Sequence, residues 1–315
     1  MTGFLFSVNV LVWGFSWIAI TVQIRETPAE VALLYRLGLA ALVLFLVLAA
    51  TGRLRRITMG QQPWLALMGF CLFCLNYLLV YNGTRFIPSG VVALVFSTAT
   101  VFNAFNSMIF YGDRQSLRFI IGAMLGMAGL GCLFWRDLTQ LDLGSASMTG
   151  GALVLAATYV FSLGNMVSRR NNAAGIDLPT ATAWSMGWGT LFLAVVTLGR
   201  GLPLPLDLSW NWYLALLYLA IPGTAIGFLS YLEVVKRLGA PLAAFSTVLY
   251  PAIALTVSTF FEDYHWTAAA AVGLLLIALG NMLVFAPASA WRIARRAGER
   301  LIHLWPARDY PSPRP

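Results

Sequence analysis

The sequence predicts an all-α integral membrane protein, with ten transmembrane helices arranged as two inverted five-helix repeats around a central cavity. Three observations carry that expectation: long apolar runs fill most of the chain, basic residues gather in alternate connections, and the second half repeats the first. Of the 315 residues, 59% are hydrophobic and only 10% charged, whereas a soluble domain carries about a quarter charged residues. That balance excludes a water-soluble core.

A run of roughly 18 or more apolar residues crosses a bilayer as a helix, because lipid offers no partners to backbone N–H and C=O groups and the helix pairs them internally. Such runs fall at about 4–22, 31–50, 64–80, 91–111, 119–135, 151–167, 180–198, 210–232, 242–261 and 267–285. The connections are short and leave no room for a soluble domain. With a cytoplasmic N-terminus, 15 of the 20 Lys and Arg residues fall on the inner side and four on the outer, with Arg36 inside the second span. That bias is the one the positive-inside rule demands, and it needs an even number of spans. The expected protein is therefore multi-pass, with both termini cytoplasmic. No cleavable signal peptide is expected, since the first apolar run lacks a basic start.

The net charge of +8 reads as this topology signal and not as a nucleic-acid partner. In the tail, Trp291, Ile293, Leu301, Ile302 and Leu304 stand among arginines, a pattern suited to an interfacial helix on anionic lipid. Cys71, Cys74 and Cys132 all lie inside apolar runs and read as buried thiols, because one helical turn in lipid is a poor metal or redox site.

Residues 87–134 and 238–285 align without gaps at an offset of 151, pairing Gly122 with Gly273, Gly129 with Gly280 and Phe134 with Phe285. Pro28 pairs with Pro179 at the same offset, and Phe15-Ser16 pairs with Phe161-Ser162 at 146. The chain is accordingly divided into a first repeat (1–140), a second repeat (141–288) and a basic cytoplasmic tail (289–315). Five spans is an odd number, so the second copy enters the membrane upside down. Inverted repeats of this kind expose a midplane site to alternate sides, which predicts a secondary transporter.

Four stretches carry a family likeness: Trp13-Gly14-Phe15-Ser16-Trp17 in the first span, Tyr35-Arg36-Leu37-Gly38-Leu39-Ala40-Ala41 in the second, Arg85-Phe86-Ile87-Pro88-Ser89 before the fourth and Lys236-Arg237-Leu238-Gly239-Ala240-Pro241 before the ninth. Together they resemble the drug/metabolite transporter superfamily over nearly the whole chain. The resemblance implies the ten-helix fold of EamA-type exporters, in which the first, third, fourth, sixth, eighth and ninth helices surround a cavity. Within it, length and aromatic content are most similar to bacterial aromatic amino acid exporters, which implies the bacterial inner (plasma) membrane as the location. Phe261-Glu262-Asp263 stands where that pattern has Gly-Glu, a departure that leaves the fold intact.

Ionisable residues deep in lipid mark proton or ion coupling, since each costs roughly 2.5 to 3.5 kcal/mol to insert. This chain has almost none. Arg36 reads as a structural anchor long enough to snorkel outward, and Glu233 as one end of a solvated ion pair with Lys236 and Arg237. A cavity of neutral polar and aromatic groups suits a net-neutral amphipathic substrate, such as an aromatic amino acid. The candidate substrate-binding residues are Trp13, Trp17, Asn76, Tyr77, Ser97, Asn103, Tyr159, Ser246 and Tyr250. For each aromatic the competing role is helix packing, and for each serine a bond to its own helix; Asn76 and Asn103 stand out because a lone amide in hydrocarbon is costly. Pro222, Gly223 and Pro251 are expected to bend the eighth and ninth spans and serve as hinges. Gly122, Gly126 and Gly129 form a small-residue face for close packing inside the molecule.

No phosphate-cradling loop occurs, so ATP-driven pumping by this chain is excluded and no cofactor or metal is expected. The expected function is export of amino acids, aromatic ones favoured, and related metabolites by alternating access, as a uniporter or facilitator, in a monomer or homodimer. A proton-coupled multidrug or cationic-compound exporter is the alternative within the class. An intramembrane enzyme or lipid scramblase is the alternative outside it, although an enzyme needs clustered His, Asp or Glu, and His265 and His303 lie apart, outside the spans.

Overall fold

A computed structural model describes residues 2–113, 117–133, 135, 145–231, 253, 256–257, 259–261 and 266–285, and among these every regular element is a helix. The first and second spans are Thr2–Ile24 and Ala29–Ala50, the third and fourth Met59–Gly83 and Ser89–Tyr111, and the fifth Leu117–Leu133. The sixth, seventh and eighth are Ala146–Ala173, Leu178–Gly199 and Trp210–Tyr231, and the tenth is Ala268–Phe285. Among the described residues, seven of these helices are long and apolar enough to cross a membrane, and the fifth and tenth are shorter apolar helices. Most of the ninth span lies outside the described residues, as do Glu233 and the basic tail.

Short polar residues start the sixth, seventh and eighth helices. Ser145, Asp177 and Ser209 each accept a hydrogen bond at 3.2 Å from a backbone N–H three residues on, occupying donors that the helix cannot pair itself. The fourth span stops at Gly112, whose φ of 69° is a left-handed conformation that side chains with a Cβ avoid. Two spans widen midway into π turns, at Phe70–Leu75 in the third and Ile221–Ile226 in the eighth. Pro222 accounts for the second, since it has no N–H to continue the ladder. The first contains no proline and nothing in its sequence foretells it. The two turns start 151 residues apart (221 − 70), the offset at which the halves align in sequence.

Lipid tails are as apolar as leucine, so helices in a membrane associate through close contact and hydrogen bonds and not through removal of apolar surface from water. The fifth and tenth spans show this. A Cβ added at Gly129 would lie 2.7 Å from the Gly273 carbonyl oxygen, and one at Gly280 would lie 2.5 Å from that of Gly122. The small-residue face expected from the sequence thus packs within the molecule. The two contacts exchange when 151 is added to one and subtracted from the other, the reciprocity a two-fold axis produces. Elsewhere the third span packs on the sixth and seventh, and the eighth on the first and second; swapping the halves converts one set into the other.

Polarity is arranged inside out relative to a soluble protein. Leu42, Leu46, Val195, Leu198, Met124 and Leu275 are exposed, whereas Asn76, Asn106, Ser162, Thr158, Ser185 and Thr224 are buried. A soluble monomer does not display so much contiguous apolar surface. Cys71 and Cys74 are free, buried thiols, as expected.

Candidate functional site

A cavity of about 1000 Å³, open solvent at its mouth included, lies between the first, second, third, fourth, sixth and eighth spans. On the first span Trp13 and Trp17, one turn apart, both face it. The Trp13 indole N–H donates to the Gly223 carbonyl at 2.9 Å, and its ring lies 5.4 Å from those of Phe228 and Tyr231. Gly227 admits that indole, since a Cβ there would come within 2.3 Å of Trp13 Nε1. Trp17 meets Phe96, which in turn meets Phe161. Its indole nitrogen is buried and has no hydrogen-bond partner among the described residues.

The third span brings Asn76 and Tyr77 to the wall just beyond its π turn. Asn76 donates its amide N–H to the Ala157 carbonyl of the sixth span at 2.8 Å, so one of its polar atoms is committed to packing. On the fourth span Ser97 donates to the Leu94 carbonyl at 2.7 Å, in the turn that breaks this helix, and Asn103 Oδ1 accepts from Asn165 at 3.1 Å. Six of the nine candidate residues, with Gly223 beside Pro222 in the eighth-span π turn, therefore share one cavity. Tyr159 does not join them: it is 38% exposed and packs edge-on to Phe102. Ser246, Tyr250 and Pro251 lie outside the described residues.

Arg36 is the largest correction to the sequence reading. It does not snorkel outward: it is 3% exposed and lines the cavity. Its Nε donates to Thr224 Oγ1 at 3.1 Å, Nη1 to the Tyr81 hydroxyl at 3.0 Å and Nη2 to the Tyr77 hydroxyl at 3.4 Å. The guanidinium carbon also sits 4.6 Å from the Tyr77 ring centroid, a cation–π distance. The Tyr81 hydroxyl in turn donates to Gln23 Oε1 at 3.0 Å. The eighth-span π turn shapes this cradle, because the Thr224 hydroxyl that accepts from Arg36 donates to the carbonyl five residues back, at Leu219, at 2.7 Å. Hydroxyls and ring faces from the third and eighth spans meet the demands that would otherwise drive the side chain to the interface. No carboxylate among the described residues lies within ion-pair distance of it.

Below the cavity, at the end of the bundle that carries Arg169 and Arg170, polar contacts tie the fourth span to the sixth. Arg169 donates to Asp113 at 2.6 Å and to Ser107 at 2.8 Å, stacks 4.0 Å from the Tyr111 ring, and the Tyr111 hydroxyl donates to the Met166 carbonyl at 2.8 Å. The hydrogen bond from Arg169, and after it the one from Ser107, holds the Asp113 carboxyl below its ordinary range. At the opposite end, Arg25 and Arg85 border a second cleft with Thr21, Ile24 and Thr84, one turn beyond the Ile20 and Val80 that line the main cavity.

Relatives match this chain along most of its length. Uncharacterized transporter YoaV of Bacillus subtilis is 23% identical over 272 residues, covering 86% of this chain and 91% of its own length. The "Probable terminal-alkyne amino-acid exporter" of Streptantibioticus cattleyicolor is 25% identical over 276 residues, covering 88% and 90%. Uncharacterized inner membrane transporter YedA of Escherichia coli K12 is 24% identical, covering 89% and 91%. One solved crystal structure superposes with a TM-score of 0.65 at 17% identity, over 90% of this chain and 96% of that one, a likeness of fold. The family model of EamA-like transporters matches twice, over residues 1–135 and 148–286. Those matches span nearly all of a multi-pass, all-helical chain, which belongs to the EamA-like transporter family.

Proposed function

We propose that this protein is a secondary exporter of amino acids, aromatic ones favoured, working by alternating access in the bacterial inner membrane with both termini in the cytoplasm. The observation that carries the reading is the cavity itself: an aromatic wall of Trp13, Trp17, Tyr77, Phe96 and Phe161 interrupted by Asn76, Ser97 and Asn103. A ring can stack there while the polar end of the same solute finds hydrogen bonds. The amino-acid exporter named among the relatives points the same way. The two halves are read as inverted repeats, supported by the shared offset of the π turns and by the reciprocal glycine contacts. Alternating access then requires the tie between the fourth and sixth spans to part when the cavity opens on that side.

The reading is tested by counterflow of radiolabelled tryptophan, phenylalanine and tyrosine in proteoliposomes, against alanine and an organic cation. Saturable exchange of the aromatic amino acids is expected, and exchange of the cation alone would turn the assignment to a multidrug exporter. No carboxylate among the described residues lines the cavity, which supports transport driven by the substrate gradient. Collapse of uptake on removing an imposed proton gradient would contradict that part.

The Asp113 tie yields a pH expectation. A carboxylate whose folded pKa is depressed stabilises the folded contact above its ordinary value, about 3.9, and loses that contribution only as pH falls through the depressed value. The tie is therefore intact throughout the window from about pH 5 to 8, and no step in counterflow rate is expected there from this group. Both partners are partly exposed, at 47% and 42%, so Asp113→Asn is expected to change the rate by no more than about fivefold.

A further inference from the structure

We propose that Arg36 is the carboxylate-recognising group of the cavity, and that the transported class is small amphipathic solutes with a free carboxylate. This rests on the transport reading above and narrows its substrate. A guanidinium carries five N–H donors. Three are committed to the hydroxyls of Thr224, Tyr81 and Tyr77, which leaves one on each terminal nitrogen, the number a carboxylate takes up when it binds bidentately.

The charge itself is the second argument. Arg36 is 3% exposed, and every partner it has among the described residues is neutral. A neutral cradle holds the side chain in place without cancelling its charge, and a full charge in a low-dielectric cavity attracts an opposite one far more strongly than it would in water. A residue serving only as a packing strut does not need an ionised head in the wall of a cavity, where its desolvation is costly. The same field repels a cation, which separates this proposal from a cationic-drug site. Arg25 and Arg85, exposed along the second cleft and without an ion pair among the described residues, extend the positive potential toward that end of the cavity.

The aromatic wall supplies the other half of the recognition. Trp17 presents a buried indole N–H with no partner among the described residues, and the Tyr77 ring carries one face against the guanidinium. A solute with its carboxylate on Arg36 has its apolar body among Trp17, Phe96 and Phe161.

The test uses the full-length protein in proteoliposomes, with labelled phenylalanine counterflow competed by 3-phenylpropionate, phenylalaninamide and phenethylamine. Unlabelled phenylalanine and 3-phenylpropionate, which keep the carboxylate, are expected to compete at least about tenfold better than the amide and the amine, the scale of one charge-assisted bidentate contact. Arg36→Gln is expected to erase that ranking. The wild-type series decides the carboxylate preference without any variant. Should Arg36→Gln not fold, Arg36→Lys, which keeps the charge and loses the paired N–H donors, is expected to narrow the ranking, and an unchanged ranking there overturns the assignment to Arg36. Equal competition by the amide and the amino acid in the wild-type protein overturns the carboxylate proposal while leaving aromatic export intact. A preference for the acid that survives Arg36→Gln overturns the assignment to Arg36. Absence of any phenylalanine counterflow removes the transport reading itself.

Discussion

Gly69→Val is expected to leave no monodisperse protein in detergent, and Gly69→Ala to lower the thermal transition by several degrees. A Cβ at position 69 would lie 2.3 Å from the Ser185 carbonyl oxygen and 3.0 Å from the Gly189 backbone nitrogen. Those atoms belong to the backbone of the seventh span, so no rotamer change relieves the clash. The seventh span cannot retreat alone, because Gly189 is itself pressed on the third, where a Cβ would come within 2.6 Å of that of Phe73. Overpacking at such a seam typically costs about 1 to 3 kcal/mol, and valine adds two more carbons than alanine. The seam also sets the site, since it fixes the third span just before the π turn that delivers Leu72, Asn76 and Tyr77 to the cavity. Size-exclusion thermostability measures the effect. Gly131→Ala is the control, with nothing within 4 Å of its added carbon and no expected loss. A Gly69→Val protein with the wild-type transition would refute the packing described for these two spans.

Trp13→Ala is expected to reduce counterflow more than any other single change among the candidate residues, by well over tenfold. Trp13 closes one side of the cavity between the rings of Phe228 and Tyr231 and donates to the Gly223 carbonyl of the π turn at 2.9 Å. Removing a packed indole costs on the order of 3 to 5 kcal/mol, and the Gly223 carbonyl loses its side-chain donor. Trp13→Phe keeps most of the ring contact and forfeits only the hydrogen bond, so its loss is expected to be roughly three- to tenfold, in line with a net hydrogen bond of about 1 kcal/mol. Rates normalised to reconstituted protein, with thermal stability measured beside them, separate the two contributions. Equal activity of the alanine variant and the wild type would show that this wall of the cavity has no part in transport.

The sequence by itself determined the solvent this protein lives in, the approximate limits of its spans and the family likeness. Each of these depends on run length, composition or motif, quantities that survive without a third dimension. It also picked out Trp13, Trp17, Asn76, Tyr77, Ser97 and Asn103, because aromatic and amide groups inside apolar runs are few and need a reason to be there. Which way a residue points was a different matter. In a soluble helix the apolar stripe marks the inside, but a membrane helix is apolar toward lipid and toward its neighbours alike. Tyr159, turned away from the cavity at 38% exposure, and Phe161 two residues on, facing it, could not be told apart on those grounds.

Tertiary structure alone decided the π turn at Phe70–Leu75, which no proline announces, and the fate of Arg36. Insertion cost argued for a side chain reaching out to water. That argument fails because Tyr77, Tyr81 and Thr224, from spans 41 to 188 residues away, converge on the guanidinium. Local sequence states the cost of a buried charge, and only the packing of distant helices states what meets it.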